Sequence, residues 1–213
     1  DEHSENRSQT VYVRGRNRAY LECRRIRRRD YFLLERVGSP FRESYLAFDR
    51  LSGPGGDFFL VQSLPVGKST EQLLRVLSRL KSDAFPRVVE WQRKRDQIDV
   101  ALTWIEGISL ADYLQNIREG RRPPVDPGQA LRLMNGLANS VCHLHRRLQV
   151  AHGDLQPANV LVTSHSSRLQ VIDFGSAWTT PFAASWIRPV FSSLPMTTGQ
   201  SEIIMWLIGR SSI

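Results

Sequence analysis

Three side chains that carry oxygen ligands stand in two neighbouring motifs in the second half of the chain. Asp154 and Asn159 lie in AHGDLQPANVLV (residues 151–162), and Asp173 follows in LQVIDFGSAW (169–178). Phosphoryl transfer needs little covalent help, but it requires magnesium held by hard oxygen ligands and a carboxylate that orients the attacking hydroxyl. Because both motifs adjoin short strand-like runs, two loops could present all three residues to one point. The alternative is that the two aspartates only cap strands.

The motifs HGDLQPANVLV and VIDFG resemble the catalytic loop and the Asp-Phe-Gly motif of the protein kinase family. The similarity keeps its order over about residues 31–177, in which LTWIEGISLADYL is similar to the kinase hinge and the helix after it. The resemblance implies a bilobal fold with ATP bound between the lobes. It also implies that Asp154 is the catalytic base and that Asn159 and Asp173 hold Mg²⁺.

Six further positions are assigned to nucleotide binding by this resemblance. They are Gly38 and Arg42 in the phosphate loop, Gln62 on the third kinase strand, Leu102 and Ile105 at the hinge, and Gln156 in the catalytic loop. Gln62 stands where kinases have the lysine that pairs with the ATP phosphates, and Gln156 stands where Ser/Thr kinases have a second lysine. Losing one preorganised donor costs on the order of 3–4 kcal/mol of transition-state stabilisation. Arg42 could restore charge near the phosphates, or it could be a solvated surface arginine.

Strand-like and helical segments that could position these residues follow one another in a regular order. The strand-like segments are YFLLERVG, SYLAFDRL, DFFLVQSL, FPRVVEWQ and QIDVALTW, and TEQLLRVLSRLK lies between the third and fourth as a helix. Two more helices are predicted in SLADYLQNIREG and QALRLMNGLANSVCHLHRRL. The predicted fold class is α+β, with a five-stranded antiparallel N-lobe carrying one helix (residues 30–107) and an incomplete, mainly helical C-lobe (108–178). Residues 179–213 are predicted to be an atypical tail, which could be a fragment, a frameshifted end or a genuine short form.

Basic residues are concentrated near the beginning of the chain. Lys and Arg number 29 against 21 Asp and Glu, which gives a net charge of +8, and much of the excess lies in RGRNRAYLECRRIRRRD. Residues 1–29 are therefore predicted to be a flexible basic arm, either simply solvated or in weak contact with a polyanion. No apolar run is long enough to span a bilayer. Cys23 and Cys142 lack disulfide or zinc spacing, so the chain is predicted to be cytoplasmic with reduced thiols.

Three functions are compatible with these residues. The first is a Ser/Thr protein kinase that transfers the γ-phosphate of ATP to a hydroxyl of a protein substrate or signalling partner. The second is a pseudokinase that acts as a binding or scaffolding module, because two cations are missing. The third is a small-molecule phosphotransferase, a class that shares the His-Gly-Asp sequence of the catalytic loop.

Overall fold

A computed structural model describes residues 9–38, 43–53, 55–163, 168–174 and 178–179 of the chain. The chain divides into two compact units. The first comprises Asp1–Arg79 and Arg87–Trp104, and the second comprises Leu80–Pro86 and Ile105–Ile213. No helix among the described residues combines the length and the apolar character needed to cross a membrane.

The described residues of the first unit form eight strands and one α-helix. They are β1 (Thr10–Val13), β2 (Arg16–Ala19), β3 (Glu22–Ile26), β4 (Arg29–Arg36), β5 (Ser44–Asp49), β6 (Phe58–Pro65), α1 (Lys68–Leu77), β7 (Val88–Arg93) and β8 (Gln97–Thr103). Six of the strands form an antiparallel sheet in the order β3-β4-β5-β6-β8-β7. The five predicted strands correspond to β4 through β8, and the single predicted helix corresponds to α1. The α+β class is therefore confirmed, and this sheet has one strand, β3, more than the sequence predicted.

One face of this sheet forms a hydrophobic core. The residues at its centre are apolar and fully or almost fully buried: Ile26, Tyr31, Leu33, Ala47, Phe59, Val61 and Ala101. They come from five strands, and Tyr31 packs edge-on against Phe59 at 5.5 Å between ring centroids. Alternation of apolar and polar residues along the strands places these side chains on the same face.

The Arg-rich beginning of the chain is folded, and the prediction of a flexible arm over residues 1–29 is wrong for Thr10–Ile26. β1 and β2 form a hairpin, and β3 is an edge strand of the sheet. Val13 and Ile26 are buried, and the guanidinium groups of Arg14 and Arg18 lie 4.6 and 5.3 Å from the centre of the Phe58 ring. Arginine stems can cover apolar surface while the charge stays near water. The polar composition therefore concealed a strand pattern.

Side-chain contacts join the two edge strands of the sheet. The backbone N–H of Arg27, in the turn after β3, donates to Gln92 Oε1 at 2.6 Å, and Arg27 Nε donates to the carbonyl of Trp91 at 2.9 Å. Tyr31 Oη donates to Glu90 Oε1 at 2.9 Å. Because Trp91 and Gln92 belong to β7, at the opposite end of the strand order from β3, the sheet curls until its edges meet.

In the described part of the second unit, short strands accompany two α-helices. They are β9 (Ile108–Ser109), α2 (Leu110–Arg118), α3 (Pro127–Leu148), β10 (Val150–Ala151), β11 (Val160–Val162), β12 (Leu169–Val171) and β13 (Trp178–Thr179). β12, β11 and β9 form one antiparallel sheet, and β10 pairs with β13. Ser109 caps α2 by accepting a hydrogen bond from the Asp112 N–H at 3.0 Å, and Asp126 caps α3 in the same way through the Gln129 N–H.

Candidate active site

The HGDLQPAN segment connects β10 to β11 and forms the first half of the candidate site. Gly153 has a φ of +81°, a left-handed conformation that glycine adopts without a steric penalty. Pro157 begins a single 3₁₀ turn, Pro157–Asn159, that leads directly into β11. The Asn159 side chain is buried at the end of this turn. The local sequence thus fixes the path of the loop on both sides of Asp154.

Two side-chain amides hold the Asp154 carboxylate. Asn159 Nδ2 donates to the backbone carbonyl and to Oδ2 of Asp154, both at 2.9 Å. Gln156 Nε2 lies 3.0 Å from Oδ1 and 3.0 Å from Oδ2 of the same carboxylate. From the sequence, Gln156 was expected to contact the nucleotide at a position where Ser/Thr kinases have a lysine, and its contact with Asp154 was not predicted. Gln156 therefore still orients Asp154, although it adds no positive charge.

Asp173 lies two residues beyond β12, next to the same loop. β11 and β12 pair antiparallel, with Val160 opposite Val171. The pairing is extended by the Ile172 N–H, which donates to the Asn159 carbonyl at 2.9 Å. Asp173 has a φ of +64°, which is uncommon for a residue other than glycine and costs conformational energy. The structure thus brings the HGDLQPAN loop and the start of the Asp-Phe-Gly motif together, as the sequence predicted.

A buried histidine links the two motifs. His152 Nε2 forms a hydrogen bond of 2.9 Å with the Ile172 carbonyl, so this nitrogen carries the proton and donates. Its ring packs against the Phe174 ring in a tilted arrangement with 5.1 Å between centroids, and the Phe174 ring lies 5.7 Å from that of Phe85. Burial lowers the pKa of His152, although the Ile172 carbonyl and the carboxylates of Asp173 and Asp154 oppose the shift. His152 therefore ties the HGDLQPAN segment to Ile172, the residue before Asp173.

Metal binding at this site would depend on a small set of oxygen donors. Within the described ranges, no group of three or more His, Cys, Asp or Glu side chains could hold a metal ion. The donors present are the carboxylates of Asp154 and Asp173 and the side-chain amide of Asn159. Mg²⁺ is usually bound through one or two carboxylates while it keeps waters and substrate phosphates as its other ligands. This donor set therefore fits Mg²⁺ that arrives with a nucleotide better than a metal bound by the protein alone.

The other predicted nucleotide contacts are divided between the two units. Gly38 follows β4 with a φ of +76°, and Gln62 lies on β6, where its Nε2 donates to Ser44 Oγ on β5 at 3.0 Å. Leu102 is buried on β8. Ile105 is the residue at which the chain enters the second unit. Arg42 lies outside the described residues, so its role in phosphate binding stays a prediction.

The glutamate that is available on α1 pairs with arginines of its own unit. Glu71 Oε1 accepts a hydrogen bond from Arg93 Nη1 at 2.9 Å, and Glu71 Oε2 lies 3.8 Å from Arg75 Nη2. Gln62 and Glu71 therefore make separate contacts within the first unit, Gln62 with Ser44 and Glu71 with the two arginines.

Curated proteins similar to this chain are mostly kinases. It is 30% identical over 119 residues to the serine/threonine-protein kinase pkn2 of Myxococcus xanthus and 35% identical over 111 residues to CBL-interacting protein kinase 9 of Oryza sativa subsp. japonica. These alignments cover 54% and 51% of this chain but only 14% and 23% of the two relatives. Protein nipi-4 of Caenorhabditis elegans is 27% identical over 105 residues, which is 45% of this chain and 26% of that protein.

A solved structure and a domain family agree with these relatives. The BubR1 kinase domain superposes with a TM-score of 0.59 at 16% identity, over 74% of this chain and 50% of that one, which supports the predicted kinase-like fold. The protein kinase domain family matches residues 66–187. Since that match covers more than half of the sequence and includes both catalytic motifs, the chain belongs to the protein kinase family.

Proposed function

We propose that this chain is a serine/threonine protein kinase-like domain that binds ATP with Mg²⁺ and transfers the γ-phosphate to a hydroxyl group of a protein. The observation that carries the proposal is the hydrogen-bonded loop in which Asn159 and Gln156 orient Asp154 while the Asn159 carbonyl ties the loop to the residue before Asp173. The match to the protein kinase domain family supports it.

Asp154 is the residue that would accept the proton of the attacking hydroxyl. Both of its oxygens accept hydrogen bonds from side-chain amides, so the carboxylate is oriented before a substrate arrives. Asn159 and Asp173 would hold Mg²⁺, which when bound neutralises charge on the phosphates. Preorganisation of this kind is the main contribution that a protein makes to phosphoryl transfer.

Slow transfer, or a pseudokinase role without transfer, is the second candidate. Gln62 and Gln156 occupy the positions of two kinase lysines, and each amide is already engaged by a neighbour, Ser44 and Asp154 respectively. Each missing cation lowers the rate by about 10²- to 10³-fold. An inactive domain of this kind would act by binding nucleotide or a signalling partner.

Phosphate transfer can be tested directly with γ-labelled ATP, Mg²⁺ and two kinds of acceptor. A serine/threonine-rich protein such as casein tests the first proposal, and a panel of small hydroxylated amines tests the small-molecule alternative that the His-Gly-Asp sequence suggests. We expect the wild type to label the protein acceptor and Asp154→Asn to lose this labelling. Asp96→Asn, which changes an exposed aspartate between β7 and β8, is the control and should retain it. Label only in the small acceptors would establish the small-molecule alternative, and no label in a chain that binds nucleotide would establish the pseudokinase.

The remaining aspects of the proposal concern partners and location. A protein substrate or signalling partner follows from family membership. Contact with a polyanion through the Arg-rich segment is expected to be weak, because Arg24, Arg27 and Arg29 are engaged by Asp99, the Trp91 carbonyl and Asp49. A cytoplasmic location is proposed because both cysteines are free thiols.

A further inference from the structure

A cavity of about 640 Å³ lies in the second unit, and no residue of the catalytic loop lines it. One wall is α3, and the other consists of residues 82–84 together with Arg168 and Leu169 at the start of β12. Its volume lies within the range of protein sites that bind small molecules or short peptides, roughly 300–1,000 Å³. We call this cavity the α3 groove.

The α3 wall presents one continuous helical stripe. Gln129, Arg132, Leu133, Gly136 and Ser140 line the groove and recur every three or four residues. A Cβ atom added to Gly136 would meet no atom within 4 Å, so the middle of the stripe is an open notch. The stripe is roughly 16 Å long at 1.5 Å per residue. An extended peptide of about five residues would match this length.

The opposite wall is held in place by hydrogen bonds. The Val171 N–H donates to the Ala84 carbonyl at 2.9 Å, and Gln170 Nε2 donates to the Asp83 carbonyl. The segment before Phe85 is thereby tied to β12 along the edge of the groove. Leu169 is buried at this wall, and Leu133 is partly exposed across from it.

The charges of the groove favour an acidic ligand. Arg132 and Arg168 are both exposed, and neither guanidinium forms an ion pair or a hydrogen bond within the described part of the chain. Asp83 is the one acidic residue among the described lining residues, which leaves the lining with a net charge of +1. Guanidinium groups with free donors bind carboxylates in a bidentate manner. Leu133, which is partly exposed, offers apolar surface beside them, with the buried Leu169 behind it in the lining.

We propose that the α3 groove binds an extended acidic peptide segment of a partner protein, about five residues long. Carboxylates of the peptide contact Arg132 and Arg168, and an aliphatic side chain packs against Leu133. The Gly136 notch lets the peptide backbone approach α3 closely. This site is separate from the Asp154 site, so it would recruit a partner in an active kinase and in a pseudokinase alike.

Selection from a random hexapeptide phage library against the full chain tests the proposal. We expect enriched peptides that contain two or more Asp or Glu residues and an aliphatic residue. A fluorescein-labelled copy of the dominant peptide would then be titrated by fluorescence anisotropy. The double variant Arg132→Glu/Arg168→Glu should weaken binding at least tenfold, and Asp83→Asn should tighten it a few-fold because a repulsive charge is removed.

Three controls keep the result interpretable. Arg146→Glu reverses an exposed charge on the same helix outside the groove and should leave the peptide affinity unchanged. Asp173→Asn, at the proposed metal ligand, should also leave it unchanged, so failure of the kinase proposal would not affect this test. All variants should unfold at temperatures close to that of the wild type, because the substituted side chains are exposed or partly exposed.

Several outcomes would overturn the proposal. Absence of enrichment, enrichment of basic or uncharged peptides, or an acidic peptide whose affinity survives the double charge reversal would each exclude an acidic peptide site. A synthetic peptide of residues 200–210 would also be tested as a competitor of the labelled peptide. If it competes, and the double variant still binds it, the groove accepts apolar sequence such as the chain's own tail instead of an acidic peptide.

Discussion

The Asp154 carboxylate is oriented by neutral groups at both of its oxygens. Gln156 and Asn159 supply donors where a Ser/Thr kinase would have a lysine and an asparagine. An amide fixes direction as well as an ammonium group does, but it contributes no net charge to a phosphate that becomes more negative during transfer. We therefore expect Gln156 to limit the rate of the proposed transfer more than Asp154 does.

Replacing Gln156 by lysine should accelerate phosphate transfer. The added ammonium group would lie next to the Asp154 carboxylate and supply the missing cation, so we expect a rate increase of about 10²-fold. Initial rates of γ-phosphate incorporation into a protein acceptor measure the effect. Gln115→Lys, which adds the same charge at an exposed position of α2, is the matched control and should leave the rate unchanged. Equal rates for wild type and Gln156→Lys would show that another missing group limits transfer.

The sequence was sufficient to predict candidate site residues but not their contacts. Asp154, Asn159 and Asp173 could be predicted because each belongs to a short motif whose geometry is determined by its immediate neighbours, such as Gly153 and Pro157. The Gln62–Ser44 hydrogen bond joins residues 18 positions apart, and no local sequence pattern predicts it. Arg42 lies in the segment 39–42, outside the described residues.

Among the secondary-structure elements, β3 contributes a buried cation to the first unit. Its Arg24 is only 7% exposed, donates from Nη1 to Ser63 Oγ at 2.9 Å and lies 3.7 Å from Oδ1 of the fully buried Asp99. Lys94 Nζ lies 2.6 Å from the other Asp99 oxygen. A buried carboxylate that loses a charged partner is strongly destabilising because its desolvation is no longer compensated. β3 therefore contributes a necessary charge as well as a strand.

Removing the charge of Arg24 while keeping its volume should destabilise the protein. We expect Arg24→Met to lower the free energy of unfolding by about 3 kcal/mol, because Asp99 would keep only Lys94 as a cationic partner. Urea-induced unfolding followed by circular dichroism measures the change. Arg25→Met on the same strand is the matched control. Because the Arg25 side chain is 72% exposed, the free energy of unfolding of this variant should equal that of the wild type. Equal stability of the two variants would contradict a structural role for β3.

Strand β1 of the hairpin has one buried and one exposed face. Val13 is 1% exposed and packs in a cluster with Leu34 and Phe48, whereas Tyr12 is 54% exposed. We expect Val13→Asp to lower the thermal unfolding temperature by several degrees, because it buries an unpaired carboxylate, and Tyr12→Asp to leave it nearly unchanged. Similar melting temperatures for both variants would restore the interpretation of this segment as a flexible arm.

The sequence prediction missed the β1–β2 hairpin and the edge strand β3 for one physical reason. Residues 10–26 contain so many arginines that their hydropathy resembles that of a disordered arm, yet Val13 and Ile26 recur on the buried face of strands. The positive charges are accommodated because the arginines contact aromatic rings and buried carboxylates on distant strands. The guanidinium groups of Arg14 and Arg18, for example, lie over the ring of Phe58. By contrast, β4 through β8 consist of apolar runs bounded by turns, which a local pattern predicts.

At the scale of the whole molecule, the chain folds into two compact units, and one protein kinase domain match includes parts of both. The kinase domain match begins at residue 66 and includes α1, β7 and β8 of the first unit together with both catalytic motifs of the second. Binding of ATP with Mg²⁺ is the central claim about this molecule, because transfer and a nucleotide-dependent pseudokinase role both require it. A ligand that binds only the folded state raises the free energy of unfolding. Once the ligand concentration exceeds Kd, this increase, and with it the unfolding temperature, grows with the logarithm of the concentration.

Thermal unfolding with ATP, in the presence and absence of Mg²⁺, tests this claim most directly. We expect the unfolding temperature of the wild type to rise by about 3 °C or more at a nucleotide concentration ten times Kd, and only when Mg²⁺ is present. Asp173→Asn should abolish the rise, whereas Asp96→Asn should retain it. A chain that unfolds cooperatively and shows no shift at millimolar ATP and Mg²⁺, or a shift that Asp173→Asn leaves intact, would contradict the assignment of this site to a magnesium nucleotide.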